Sequence, residues 1–282
     1  MRVLGEYHHI ECPFSRPGYF TGVAAILGDT ITLVDAGTAA APEEAILPYL
    51  KGVHRKADQI SSIVLTHGHG DHFDGVPFLV KASGAKVYVH ELEKPAVLDL
   101  AARTSFDPSR IEAVKHGDVL KLSGREMEVF HTPGHTSGSI CLIDRHLGLC
   151  ITGDSVQGLG EGRPLLFYSS VAYTDSMRRL SLEPIKLFVM GHPFPPFGQG
   201  VIRGSEVKAI LQDSMKAVDS LKDSIARVLK VAGRPLSIDE ISGKLPEYRK
   251  QSIGLVLEEL SEDGKVRRLG KGNELLWLSR QI

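Results

Sequence analysis

The sequence predicts an α/β protein with helices layered on β-sheet, followed by a small C-terminal unit of different character. Between residues 42 and 90, amphipathic helical segments alternate with short apolar strands; short strands return between 119 and 152; from residue 205 the pattern turns to long helices and a terminal ribbon. The 282 residues are 42% hydrophobic and 24% charged, ample for a sizeable core in one large domain or two. A formal net charge of −1 and a pI near 6.9 supply no global field to recruit nucleic acid or an anionic membrane. No apolar run approaches the roughly 20 residues of a membrane span. The start, Met1-Arg2-Val3-Leu4-Gly5-Glu6-Tyr7, lacks the apolar core of a signal peptide, so a cytoplasmic location and no membrane partner are expected.

Val23 to Leu27 and Ile31 to Val34 are apolar runs joined through Gly28-Asp29, a favourable hairpin pair, and the second run ends at Asp35-Ala36-Gly37. Pro42-Glu43-Glu44 opens a helix, because proline is tolerated in a first turn and acids suit that end of the dipole; Ile46, Leu47, Leu50 and Val53 give it an apolar stripe. A buried strand follows at Ser61 to Leu65, then a helix from His72 to Lys81 carrying Val76, Phe78, Leu79 and Val80, then a strand from Lys86 to His90. Strands are expected again at Val119–Leu122, Glu126–Phe130, Ser139–Ile143 and Leu147–Thr152, and one more at Lys186–Met190. His8, His9 and His90 have no partner spacing and read as structural. Cys12, Cys141 and Cys150 are odd in number and unpaired in spacing, which predicts reduced, buried thiols.

The chemistry gathers behind the 61–65 strand, in Thr66-His67-Gly68-His69-Gly70-Asp71-His72. His67 and His69, two apart at a strand end, can point toward one ion, while Asp71 and His72 begin the helix and face a neighbouring position. Imidazole and carboxylate are ligands that zinc takes. Thr132-Pro133-Gly134-His135, Thr152-Gly153-Asp154-Ser155 and Gly191-His192 follow, each beside an apolar strand, which places all of these side chains on one rim.

His67-x-His69-x-Asp71-His72 resembles the signature of the metallo-β-lactamase superfamily of hydrolases, and the three later pieces match in order, with Leu33-Val34-Asp35-Ala36-Gly37 as a first motif. The resemblance covers residues 1 to 204 and implies an αββα sandwich of the metallo-β-lactamase type. It implies that His67, His69 and His135 hold one metal, that Asp71, His72 and His192 hold a second, and that Asp154 bridges them. Asp35 would orient the metal-site loop from behind, and His131 would not be a ligand. The cofactors implied are two zinc ions, with iron or manganese as alternatives. They would lie about 3.5–4 Å apart and share the hydroxide that attacks the substrate, with Asp71 shuttling a proton.

Departures from the family patterns narrow the class. The commonest true β-lactamases have cysteine where Asp154 stands, and flavin-linked di-iron oxidoreductases have glutamate where His69 stands. Acyl-homoserine lactonases carry a tyrosine at the position of Gln157, for which Tyr168 or Tyr173 are the candidate replacements. Asp74 stands where the family usually has glycine and is expected to add a carboxylate near the second metal. The loops Gly158–Tyr168 and Pro193-Phe194-Pro195-Pro196-Phe197-Gly198 place Arg163, Phe167, Tyr168, Phe194 and Phe197 beside the ligands. With Tyr173 these residues form the expected substrate pocket. The reading is a dinuclear zinc hydrolase of small esters, whether thioester, lactone or phosphoester. The alternatives are an endoribonuclease acting on single-stranded RNA, and a persulfide dioxygenase with one iron on His67, His135 and Asp154.

Residues 205–282 are expected as a separate unit. Ser205 to Lys230 reads as two helices ending near Gly233-Arg234-Pro235, and Ser237-Ile238-Asp239-Glu240 is a capping box opening another. Glu247 to Leu260 is a further helix. Lys265–Leu269, the turn Gly270-Lys271-Gly272-Asn273 and Glu274–Leu278 form a β-ribbon. Helices plus ribbon resemble a winged helix, as found at the C-terminus of one endoribonuclease branch of the superfamily. The Glu247–Leu260 helix mixes Glu247, Glu258 and Glu259 with Arg249 and Lys250, and only the ribbon, with Lys265, Arg267, Arg268 and Lys271, is clearly basic. Sequence-specific DNA binding is therefore not expected; dimerisation, or covering the cleft, is.

Overall fold

The computed structural model describes residues 1–14, 18–194, 197–270 and 275–280. Seven strands form the first sheet in chain order: β1 (Arg2–Leu4), β2 (Tyr7–Pro13), β3 (Phe20–Leu27), β4 (Ile31–Val34), β5 (Ile60–Leu65), β6 (Lys86–His90) and β7 (Ile111–Val114). The first four pair antiparallel and the last four parallel. Helices α1 (Leu47–Gly52), α2 (Gly70–Phe73), α3 (Val76–Ser83) and α4 (Lys94–Thr104) fill the connections. Leu50, Val76, Leu79, Val97 and Leu100 from these helices pack on Ile31, Leu33, Ile63 and Val87 of the sheet's outer face.

The second sheet contains β8 (Val119–Leu122), β9 (Arg125–His131), β10 (Ile140–Asp144), β11 (Leu149–Gly153), β12 (Leu187–Met190) and β13 (Val201–Arg203), in the order β13-β12-β11-β10-β9-β8. Strand alternation decides which side chain goes where. Val129 and Leu142 face Ile26, Val34 and Val64 of the first sheet. Their neighbours Phe130, Cys141 and Ile143 face outward, onto Tyr173, Met177 and Leu180 of α5 (Ser170–Ser181). The layers run helix, sheet, sheet, helix, so the αββα sandwich is the fold observed. All three cysteines are buried and free.

Local departures have local causes. The helix expected from His72 to Lys81 is two helices broken at Asp74-Gly75. A Cβ on Gly75 would lie 2.2 Å from the Ala36 carbonyl oxygen, and the Gly75 N–H donates to Gly37 at 3.1 Å, so the chain turns there to meet the end of β4. The helix α4 and strand β7 have no counterpart in the sequence reading, since the buried face of α4 is only Val97, Leu100 and Ala101.

The two helices expected over residues 205–230 are one, α6 (Ser205–Ala232), of 28 residues. It has no internal glycine or proline, and its buried stripe runs unbroken through Val207, Ile210, Leu211, Ser214, Ala217, Val218, Leu221, Ile225 and Leu229. Val207, Ile210, Leu211 and Val218 belong to the outer cluster of the sandwich. Leu221, Ile225 and Leu229 belong to another, with Ile241 of α7 (Ile238–Lys244), Ile253, Val256 and Leu257 of α8 (Lys250–Glu262), and Trp277. Strands β14 (Leu236–Ser237), β15 (Val266–Leu269) and β16 (Leu276–Ser279) close this end in the order β14-β16-β15. The Ser237–Glu240 capping box is present. Lys271 and the rest of 271–274, like Pro195 and Pro196, lie outside the described residues. Among the described residues no helix is long and apolar enough to cross a membrane.

Candidate metal centre

The C-terminal ends of β4, β5, β11 and β12 and the β9–β10 loop open on one rim of the sandwich, and they deliver Asp35, His67, Asp154, His192 and His135 there. His69 arrives as the N-cap of α2, and Asp71 and His72 lie within it. The seven side chains proposed from sequence as ligands meet in three overlapping groups: His67, His69 and His135; His67, His72 and Asp154; Asp71, His72 and His192. Within each, the candidate ligand atoms lie within 4.8 Å of one another. His69 Nδ1 stands 3.0 Å from both His67 Nε2 and His135 Nε2. On the other side His192 Nε2 lies 3.2 Å from His72 Nε2 and 3.1 Å from Asp71 Oδ2. Asp154 reaches both sides: its carboxylate is 3.3 Å from His72 Nε2 and 3.6 Å from both His135 Nε2 and His192 Nε2.

The far nitrogens of four of these rings are held by acceptors. His72 Nδ1 donates to Asp35 Oδ2 at 2.8 Å, His135 Nδ1 to the Leu165 carbonyl at 2.8 Å, His192 Nδ1 to the Phe20 carbonyl at 2.6 Å and His67 Nδ1 to Thr66 Oγ1 at 3.1 Å. With Nδ1 protonated, each Nε2 turns a lone pair to the centre. Burial pushes the imidazolium form of His67 far down in pKa and that of His135 to about 4.

This donor set fits a cation. Neutral imidazole lone pairs 3.0 Å apart repel one another unless a positive charge lies between them, and Asp154 Oδ1 is buried without a hydrogen-bond partner.

The sequence model described as "Metallo-beta-lactamase superfamily" matches residues 21–192. The chain belongs to the metallo-beta-lactamase superfamily. A protein from Xanthomonas oryzae pv. oryzae named hydroxyacylglutathione hydrolase is 30% identical over 228 residues, which are 80% of this chain and 78% of that one. One of the same name from Cereibacter sphaeroides is 34% identical over 153 residues, 52% of this chain and 54% of that one; this chain thus spans about half the length of the first such relatives. A metallo-beta-lactamase family protein from Thermus thermophilus shares the fold, with a TM-score of 0.75 at 21% identity over 98% of this chain and 99% of that one.

The superfamily rim is walled differently on its two sides in this chain. Phe167, 48% exposed, sets its ring edge-on at 4.7 Å from His69 and 5.4 Å from His135. Around His192 stand Tyr19 and Phe194, each 5.4 Å away, and Phe14 at 6.1 Å. Arg163 is buried, its guanidinium 4.4 Å from the Phe194 centroid and donating to the Tyr19 hydroxyl at 3.3 Å. Tyr173 is buried against Gly134 and packs in the outer core. Tyr168 is exposed and its ring touches none of the cluster histidines among the described residues, while Phe197 packs on the outer core. Asp74 is exposed beside Gly70 and belongs to none of the three groups.

Gln157 knits the wall together: its amide nitrogen donates to the Asp154 and Leu165 carbonyls at 3.0 Å, and its oxygen accepts the Leu165 N–H at 2.7 Å. Ser252 on α8 pins the same loop by donating to the Pro164 carbonyl at 2.8 Å and accepting the Leu166 N–H at 3.0 Å. Sequence reasoning missed Ser252 and also Glu93. The buried carboxylate of Glu93 accepts the Gly138 N–H at 2.9 Å, and it occupies the space a Cβ would need at Gly68 and Gly138. Two glycines in ligand-bearing loops were the only trace of it.

Proposed function

We propose that this chain is a dinuclear zinc hydrolase of small esters, with thioesters foremost. The observation that carries the reading is Asp154, whose one carboxylate lies within 3.6 Å of imidazoles on both sides of the cluster. That is where a carboxylate shared by two cations belongs. His67, His69 and His135 would hold one ion, Asp71, His72 and His192 the other. Such a pair supplies Lewis acidity to the scissile carbonyl and acidifies water enough to react near neutral pH. The chain's own residues do the rest. Asp71, the more exposed of the two carboxylates in the cluster, takes the proton from the attacking water and returns it to the leaving sulfur or oxygen. Phe167 on one side and Phe14, Tyr19 and Phe194 on the other exclude water from the reacting bond. Residues 205–282 act as a winged-helix-like cover, with Ser252 holding the loop that carries Arg163 and Phe167.

Thioesters come first because relatives named hydroxyacylglutathione hydrolase match up to 80% of the chain. Among the described residues Arg163 is the one cation placed in these walls, whereas a groove tracking a nucleic acid neutralises several phosphates. The test is a panel of thioester, lactone, aryl phosphodiester and single-stranded RNA with zinc-loaded protein, beside His69→Ala and elemental analysis. Two zinc ions per chain, with thioester turnover that His69→Ala abolishes, are the expected results. RNA cleavage far outpacing every small substrate, and equally lost in His69→Ala, would replace this reading with a nuclease.

A further inference from the structure

The wall beside His192 holds a charge that no acid among the described residues balances. Arg163 is 7% exposed, its Nε has no hydrogen-bond partner, and no carboxylate of the described residues pairs with it. Among the described residues its side chain donates to the Tyr19 hydroxyl at 3.3 Å, and its flat face lies 4.4 Å from the Phe194 centroid. Arginines elsewhere in the chain find acids readily: Arg145 bridges Glu128 and Glu183, and Arg125 pairs with Glu6. Of the acidic residues among those described, the fold pairs none with it. Taking a guanidinium out of water costs more than one ring face and one hydroxyl return, so a buried, unpaired arginine is kept for a partner that comes and goes.

Its position says what the partner is attached to. Phe194 and Tyr19 both pack against the His192 ring, so the guanidinium stands one aromatic ring from the metal cluster. Across the rim, the side of His69 and His135 offers the bare ring of Phe167 and, among the described residues, no cation. The rim is therefore polarised, with a cation and the Tyr19 hydroxyl at one end and an apolar face at the other.

We propose that Arg163 forms a subsite for a carboxylate carried by the substrate. The substrate is then an anionic ester or thioester, whose carboxylate lies on the His192 side of the reacting bond and whose uncharged part lies over Phe167. The forked guanidinium suits two carboxylate oxygens, which a point charge does not. The proposal rests on the hydrolase reading for the bond that reacts, but not for the binding of the anion.

Two measurements separate the readings. The first is kcat/KM for a pair of thioesters differing only in a terminal carboxylate or its carboxamide, with wild type, Arg163→Gln and Arg163→Lys. Wild type should favour the anionic member by roughly 10- to 100-fold, the value of a charge-assisted hydrogen bond. That ratio should collapse toward one in Arg163→Gln and be partly kept in Arg163→Lys, which also controls for misfolding. The second is calorimetric titration of the zinc-loaded proteins with glutarate and with its neutral diamide, which needs no turnover. Glutarate should bind wild type more tightly than Arg163→Gln by a similar factor, with the diamide unaffected. A preference that survives in Arg163→Gln, or glutarate binding equal in both proteins, overturns the subsite. Absence of thioester turnover alongside Arg163-dependent glutarate binding would overturn the reaction and leave the subsite standing.

Discussion

His72 and Asp35 form a hydrogen bond closed to water: Nδ1 donates to Oδ2 across 2.8 Å, with the two side chains 0% and 2% exposed. The same carboxylate accepts the Thr66 N–H at 2.8 Å and the Thr66 hydroxyl at 2.9 Å, and that hydroxyl in turn accepts from His67 Nδ1. One side chain thus fixes the rotation of an imidazole on each side of the cluster. It does so from a left-handed backbone position, φ 67°. Asp35→Asn replaces one acceptor oxygen with a donor that faces donors. Metal affinity should fall by about 10- to 100-fold, read by competition with a chromogenic chelator. Unchanged affinity would show that the rings orient themselves.

Glu93 works on the other two loops. Its carboxylate joins the Gly138 N–H, in the loop behind His135, to the space beside Gly68, between His67 and His69. Glu93→Ala leaves that buried N–H unpaired and a void between the loops, so the ion on His67, His69 and His135 should be the one released first. Metal titration resolving two affinities should show the weaker step shifted, with Glu93→Gln close to wild type because its amide oxygen still accepts.

Ser252→Ala should loosen the wall while leaving the metal ligands alone. It strips partners from the Pro164 carbonyl and the Leu166 N–H, both buried, at about 1–3 kcal/mol for each. Hydrogen exchange at Leu166 should accelerate and KM should rise, with the zinc content still two per chain on the proposed reading. Loss of metal instead would mean that α8 supports the centre itself.

Acid should destabilise the fold partly through His9. Fully buried on β2, it has its pKa lowered from 6.5 to about 4, chiefly by burial and secondarily by the N-terminal ammonium. Between those values the unfolded chain binds a proton that the folded chain refuses. Stability is therefore complete above pH 6.5 and declines as the pH falls toward 4, by roughly 3 kcal/mol from this residue. Urea unfolding at pH 7 and 4.5, with chelator present so that metal does not contribute, should show a smaller acid loss in His9→Asn. Equal losses would place the effect elsewhere.

What was legible in the sequence was what is local or periodic. His67, His69, Asp71 and His72 lie within six residues on one turn, and the strands that deliver Asp154 and His192 are plain apolar runs. Glu93 acts across 45 residues, and Phe14 and Tyr19 reach His192 from the far end of the chain, so no spacing announces them. The break at Gly75 was hidden for a related reason, because what forbids a side chain there is the carbonyl of Ala36, a contact that exists only once the chain is folded. The single helix α6 was misread in the other direction. Ser205 to Lys230 reads as two helices in the sequence, although no glycine or proline interrupts the stripe.

At 1.5 Å per residue that helix is about 42 Å of continuous rod, and it is embedded in two hydrophobic clusters at once. The protein therefore has no clean seam. A chain cut after residue 204 would strip Val207, Ile210, Leu211 and Val218 from the outer face of the second sheet, baring Phe188, Ile202 and their neighbours to solvent as an adhesive surface. Shortening the tail, swapping it or tethering another protein to it acts as a torque on the same rod that roofs the sandwich. The tail and the rim are thereby bound to change together, and a graft intended to exchange one must carry the whole helix with it.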